Sequence, residues 1–528
     1  MYGRLNSACL YGIDGVQIEV ETDLSNGLPI THIIGLPDSA IREAVERVRA
    51  AIKNCGYQYP SQRVTINLAP ADLRKEGSAF DLAIALGLLT TSGQLTLPSP
   101  DRTLFIGELA LDGAVRPVEG VLSMVDLARR QGFHSVLLPA ANTSEAGLIS
   151  GINIYALSHL RELVPPGCNR TEFKQGETKE PLVLPDYNHL AVRNSTESGS
   201  LTIHPDSILS DSPEDYSDVI GQQHVKRAMT IAAAGMHNIM LVGPPGTGKT
   251  MLIRRLPTIL PPLTEDEALE VTKILSAAGK LKETAALTRL RPFRSPHHTI
   301  SAGGLIGGGS VPKPGEVSLA HRGILFLDEL PEFSRSVLEV LRQPLEDRQV
   351  TISRSRAVFT FPAHFMLAAS MNPCHCGYLG SSRCTCSPAR LAQYRSRLSG
   401  PLLDRIDLQV DVPRPEEWRS VAPGMSSAEM RAAVMSARSI QAQRFRGLPL
   451  SWNSELSGRL LRRYTLLGSD AEQFLQGTME ALGLSMRAYD RVLKLARTIA
   501  DLDHSAAISR AHVAEAIQYR NLDMKLVH

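Results

Sequence analysis

No apolar run in the 528 residues approaches the length of a membrane span, which excludes an integral helical membrane protein. No apolar segment with a basic flank opens the chain, so no secretory signal is expected. The net charge is only +2, so any nucleic-acid contact has to come from a local basic patch. Cysteine is scarce, at seven residues. Cys9, Cys55 and Cys168 are isolated, and the other four fall between Cys374 and Cys386. That spacing excludes a disulfide framework and points to a reducing cytoplasm and one metal site. No long internal repeat is apparent. What remains is ordinary globular composition, 43% hydrophobic and 21% charged, at a length that predicts about three domains.

The chain is organised around Ile239–Thr250, IMLVGPPGTGKT. The apolar run Ile239–Val242 reads as a buried parallel strand, and the residues after Lys249 as the start of a helix. Between them lie Gly243, Pro244, Pro245, Gly246, Thr247, Gly248, Lys249 and Thr250, the G-x-x-x-x-G-K-[ST] pattern of a phosphate-binding loop. The glycines let backbone N–H groups face phosphate oxygens, and the helix N-terminus adds positive partial charge. Lys249 is expected to reach the β- and γ-phosphates of ATP, and Thr250 to hold Mg²⁺.

Residues 1–165 read as an α/β domain. Strands are expected at Val16–Val20, Val64–Leu68, Leu104–Leu109 and Ser135–Pro139. Helices are expected from Asp38 to Ile52, with Asp38 or Ser39 as N-cap, from Phe80 to Leu89 and from Val121 to Arg130. The runs Lys75–Ala83, Gly107-Glu108-Leu109 and Pro117-Val118-Glu119-Gly120 resemble the proteolytic domain of the Lon family. That family uses a serine activated by a desolvated lysine. Here the nucleophile's place falls on Ala79 or its neighbour Ser78, and the lysine's place holds Leu122. The resemblance therefore implies a non-proteolytic relative. Residues 166–212, rich in Pro, Gly, Ser, Thr and Asn, read as a mobile linker.

Ile324–Leu327 is a second apolar strand, ending in Asp328-Glu329. Asp328 suits the Mg²⁺ shell and Glu329 suits polarising the attacking water. Phe365–Met371 is a third, ending in Asn372. This order of elements resembles AAA+ ATPases, with Asn372 in the sensor-1 place. Phe293–Ser301, Leu345-Glu346-Asp347-Arg348 and Leu402–Asp407 narrow the resemblance to the magnesium-chelatase-like branch. With the Lon-like region, nearly the whole chain resembles the YifB/ComM family. The resemblance implies a homohexameric ATPase ring acting on DNA, a helicase that promotes branch migration in natural transformation and recombination. It carries the arginine finger to Arg405, against a structural pairing with Asp404 or Asp407. It carries sensor 2 to Arg487, against an exposed helical arginine.

Cys374, Cys376, Cys384 and Cys386 are expected to close a structural Zn²⁺ site, with His375 as a substitute ligand and free or redox-active thiols as the alternative. Two stretches are candidate DNA contacts. One is the insertion bearing Arg289, Arg291, Arg294, His297 and His298. The other is an expected hairpin over Gln349–Thr360, whose Arg354 and Arg356 would face one side of its strand, against a solvated tip. The domain expectation is a Lon-like domain at 1–165, the linker at 166–212, a parallel-sheet AAA+ core with the cysteine loop at 213–427, and a helical lid at 428–528. The competing function is a chelatase- or chaperone-type remodeller of a protein partner. Against it, the chain holds no D-x-S-x-S metal site of the kind a chelatase partner would bring.

Overall fold

The computed structural model describes residues 1–36, 39–72, 75, 77–163, 182–184, 186–192, 214–281, 287–309, 312–354, 357–414, 424–483 and 485–520. Asp38, Cys168 and most of the expected linker lie outside them. The chain divides into two compact units.

The first unit is built on a seven-stranded sheet in the order Asn153–Leu157, Ser135–Pro139, Thr103–Phe105, Tyr2–Tyr11, Asp14–Ser25, Arg63–Ala69, Thr31–Ile34. Alternation sets two of these strands. Ile18, Val20, Thr22 and Leu24 turn inward from one, and Val64, Ile66 and Leu68 from its antiparallel neighbour. The helices Ser39–Asn54, Asp81–Thr91 and Val121–Arg130 fall where the periodicity predicts them. The Asp81–Thr91 helix is buried on nearly every side, as its unbroken apolar composition requires.

The first unit departs from the expected boundaries in two places. Within the expected linker, Leu182–Val183 pairs with Leu95–Thr96, and Leu184, Tyr187 and Leu190 enter the hydrophobic core. Residues 268–281, 287 and 312–313, expected in the ATPase core, cluster here as well. Lys273 forms an ion pair with the buried Asp126. Ser276 hydrogen-bonds Glu145, and Lys313 reaches Glu119 at 2.8 Å. The buried Asp126 and Glu145 carboxylates need such partners, and a segment far away in sequence supplies them.

The second unit is built on a five-stranded parallel sheet, in the order Phe293–Arg294, Ile324–Leu327, Met366–Met371, Ile239–Val242, Leu408–Asp411. Every residue of the three central strands is buried, which explains their continuous apolar runs. The C-terminal helices Ser427–Arg444, Gly458–Tyr464, Ser469–Leu482, Met486–Leu502 and Arg510–Gln518 share one core with the sheet. Val434, Trp452, Val492 and Ile499 pack in the same cluster as Ile239 and Leu408. Ser509 caps the last helix, accepting from the His512 amide, as its position predicts.

Candidate nucleotide site and metal centre

The Ile239–Val242 strand sits between the Met366–Met371 and Leu408–Asp411 strands and delivers the phosphate loop at its C-terminal end. Gly248 (φ 84°) caps the Lys249–Arg254 helix, and Gly246 has φ 78°; both conformations favour glycine. Gly243 has no room for a side chain, because a Cβ there would lie 2.3 Å from the Val412 carbonyl oxygen. Lys249 Nζ donates to the carbonyls of Gly243 (2.7 Å) and Pro244 (2.9 Å) and lies 3.2 Å from Asn372 Oδ1. Its burial in the loop pulls the ammonium below the usual lysine range, against the pull of Asp328 and Glu329.

Thr250 Oγ1 donates to Asp328 Oδ2 at 3.0 Å. The other Asp328 oxygen accepts from the Ser370 hydroxyl and, at 3.2 Å, from the Glu329 amide. Thr250 and Asp328 thus bring hard oxygen donors together, the ligand type that Mg²⁺ takes. Glu329 has a left-handed backbone, φ 53°, rare for a non-glycine residue, and its side chain is exposed. The chain turns sharply there, directing the second carboxylate away from the strand. Ser370 escaped the sequence reading. Its only signal is a hydroxyl inside the apolar run before Asn372.

Lys249, Thr250, Asp328, Glu329 and Asn372 therefore converge. Arg405 lies apart from them, paired with Glu346. Arg405 is 9% exposed. It lies 2.5 Å from Glu346 Oε1 and donates to the Pro401 carbonyl. Its hydrogen bond and charge, with more distant help from Arg487 and Arg491, hold the Glu346 carboxyl below the usual range. The alternative ion-pair partners, Asp404 and Asp407, are replaced by Glu346; Asp407 instead pairs with Arg491. Arg487 itself is exposed.

Arg291 and Arg294 of the insertion are engaged internally, whereas Arg289 is 45% exposed and 3.8 Å from the exposed Glu265. Arg291 is buried against Glu267 at 3.0 Å. Arg294 makes a two-pronged pair with Glu316, at 2.6 and 2.8 Å. His297 is exposed, with its ring 4.1 Å from that of His298. The hairpin forms as expected, with Gln349–Arg354 pairing antiparallel to Ala357–Pro362. Its first strand is described up to Arg354. Arg356 and the Arg354 side chain lie outside the described residues.

The four cysteines converge as expected. Their sulfurs all lie within 4.8 Å of one another. Cys374–Cys376, Cys376–Cys384 and Cys374–Cys384 stand 3.4, 3.7 and 4.0 Å apart. A tetrahedron of thiolates at the zinc–sulfur bond length has edges of about 3.8 Å, so the donor set fits zinc. Amide N–H groups of Tyr378 and Thr385 hold the Cys376 thiol down to about 6. His375 stands outside the group of four, its ring edge-on to Tyr394.

In the Lon-like unit, Ala79 and Leu122 pack in one apolar cluster with Ile106 and Val125. Ser78 is turned to Glu108.

Family models for magnesium chelatase subunit ChlI match residues 215–419, for subunit ChlI of Mg-chelatase residues 20–142, and for the ChlI C-terminal region residues 424–520. The chain is 44% identical to the uncharacterized protein YifB of Escherichia coli, over 98% of this chain and 96% of that one. It is 42% identical to the competence protein ComM of Haemophilus influenzae, over 96% and 95%. The chain belongs to the YifB/ComM family. A partial match to Lon protease 2 of Bacillus subtilis, 29% identical over 31% of this chain, accounts for the Lon-like character of the family. Membership in this magnesium-chelatase-like AAA+ family supports ATPase activity for the site around Lys249.

Proposed function

We propose that this chain is an ATP-driven DNA motor that works as a homohexameric ring in the cytoplasm, a helicase promoting branch migration in natural transformation and homologous recombination. The observation that carries the ATPase half is the convergence of Lys249, Thr250, Asp328, Glu329 and Asn372 at the ends of three central strands. In this reading the loop residues Gly243–Thr250 bind ATP, and Thr250 and Asp328 hold Mg²⁺, which neutralises charge on the phosphates. Lys249 exchanges neutral carbonyls for phosphate oxygens. Glu329 takes the proton of the attacking water while Asn372 orients it. Arg405 enters the neighbouring subunit's site, and Arg487 senses the nucleotide. The Lon-like domain is read as non-proteolytic, since the nucleophile's place falls on Ala79 or Ser78 and Leu122 in the lysine's place leaves the Ser78 hydroxyl without an activating amine.

DNA as the substrate is supported by the similarity to a protein named for competence. It is also supported by the hairpin immediately before the sensor-1 strand. Arg354 and Arg356 fall at the end of and between its paired strands in sequence, and arginine contacts to phosphates suit sequence-independent translocation. Replacing both by Ala should weaken binding of all DNA sequences and lower the salt slope by about one to two. Basal ATP turnover should be retained. Fluorescence anisotropy across a salt series checks this, and an unchanged slope would make the hairpin a solvated tip.

The cysteine centre is proposed to hold one Zn²⁺ per chain. Metal analysis of protein purified without added zinc should find it. Four freely titratable thiols under native conditions, with no zinc, would reject the site.

A further inference from the structure

The cysteine loop starts and ends at the ATP site. Asn372 leaves the buried Met366–Met371 strand, and only Pro373 separates it from Cys374, which is fully buried. Proline restricts the residue before it to extended conformations, so this link is short and stiff. At the other end, Cys386 is followed by Ser387, which caps the Pro388–Arg395 helix. That helix carries Tyr394, whose hydroxyl donates back to the Asn372 carbonyl at 3.1 Å. Between the two ends, the Gly377 backbone lies against the phosphate loop. A Cβ on Gly377 would stand 2.6 Å from Pro245 Cδ, 3.1 Å from its Cγ and 3.8 Å from Asn372 Cγ. Gly377 also has φ +84°, and its amide donates to the Cys374 carbonyl at 3.0 Å. It therefore touches the phosphate loop on one side and is tied to a cysteine on the other.

We propose that the four-cysteine centre is a positioning element of the ATP site. With a soft divalent cation of zinc's class closing the four sulfurs, the loop fixes Asn372 and Pro245. Loss of the cation slows hydrolysis while ATP still binds. The lever is short, because Asn372 Oδ1 is itself 3.2 Å from Lys249 Nζ. A sensor amide displaced by a fraction of an ångström no longer orients water, whereas the phosphate cradle of backbone amides survives. Gly377 is the positioning residue in contact with both halves. This inference rests on the ATPase reading above.

The test uses the full chain and measures zinc content, affinity for a non-hydrolysable fluorescent ATP analogue, and the kcat and KM of ATP hydrolysis. Gly377→Ala keeps all four thiolates. It should retain its zinc and its analogue affinity while kcat falls on the order of tenfold. Cys384→Ser/Cys386→Ser should lose the zinc and at least as much kcat, again with analogue affinity kept. Pro245→Ala removes the ring atoms that the new Cβ would meet. The Gly377→Ala effect should therefore shrink when measured in that background. A parent-like kcat in zinc-containing Gly377→Ala and in the zinc-free double variant would overturn the proposal. So would a Gly377→Ala effect of undiminished size in the Pro245→Ala background. If the unmodified chain turns over no ATP, the ATPase reading itself fails and takes this inference with it.

Discussion

Glu329→Gln should bind ATP with an affinity close to that of the unmodified chain and hydrolyse it about 10²- to 10⁴-fold more slowly, the usual contribution of a general base. The expectation follows from the difference between the two carboxylates. Asp328 has both oxygens engaged, one by Thr250 and the other by Ser370 and the Glu329 amide. Among the described residues the Glu329 carboxylate accepts no hydrogen bond, and it is exposed beyond the strand end. Removing its charge leaves the loop, Lys249 and the paired hydroxyls in place, so binding persists and chemistry stops. Lys249→Ala should lose both, because it removes the ammonium that the Gly243 and Pro244 carbonyls hold in the loop. A filter-binding assay and a phosphate-release assay on the two variants separate these outcomes. Normal turnover by Glu329→Gln would remove it from the role of base.

Arg405→Ala should bind ATP and lose hydrolysis, by up to 10³- to 10⁵-fold, the range for arginine fingers. The competing role is structural, since Arg405 is tied within its own chain to Glu346 and the Pro401 carbonyl. Glu346 is more than half exposed (57%), so breaking the pair leaves a carboxylate that water can solvate. The stability loss from the ion pair should then be of surface size, on the order of 1 kcal/mol or less. A folded, ATP-binding, inactive Arg405→Ala protein therefore separates the two roles. The finger reading requires more. Mixing Arg405→Ala with Lys249→Ala protein should restore part of the turnover, because some mixed interfaces combine an intact loop with an intact finger. Full activity from a demonstrated monomer would rule out a finger acting between subunits.

The phosphate loop and the Asp328-Glu329 strand end were legible because their chemistry demands fixed local spacing. The apolar strands that carry them are buried on both faces and read as unbroken runs. The cysteine cluster was legible for the same reason, its four sulfurs falling close in sequence. What escaped the sequence depends on distant partners. The Tyr2–Tyr11 strand has Asn6 and Ser7 in its buried stretch. Their polarity hides the strand, and it is tolerated because Ser7 donates to the Phe105 carbonyl and Asn6 pairs with Gln17. Leu184, Tyr187 and Leu190 lie in a short apolar-rich segment, PLVLPDYNHLAV, within the otherwise polar linker, and only the finished core of the first unit gives them a place. Glu346 lies within a motif, but its pairing with Arg405 crosses from a helix to the turn that follows another. Arg291 and Arg294 read as part of a basic patch because sequence displays charge without showing that Glu267 and Glu316 neutralise it.

The central claim joins two activities in one molecule, ATP hydrolysis and work on DNA. Steady-state ATP turnover by the full chain, measured alone and with saturating single-stranded and branched DNA, tests it most directly. Turnover should rise several-fold with DNA, more for the branched substrate, and Lys249→Ala should show none in any condition. Turnover that is unchanged by either DNA, from a protein that hydrolyses ATP normally, would contradict a DNA motor and favour a remodeller of a protein partner.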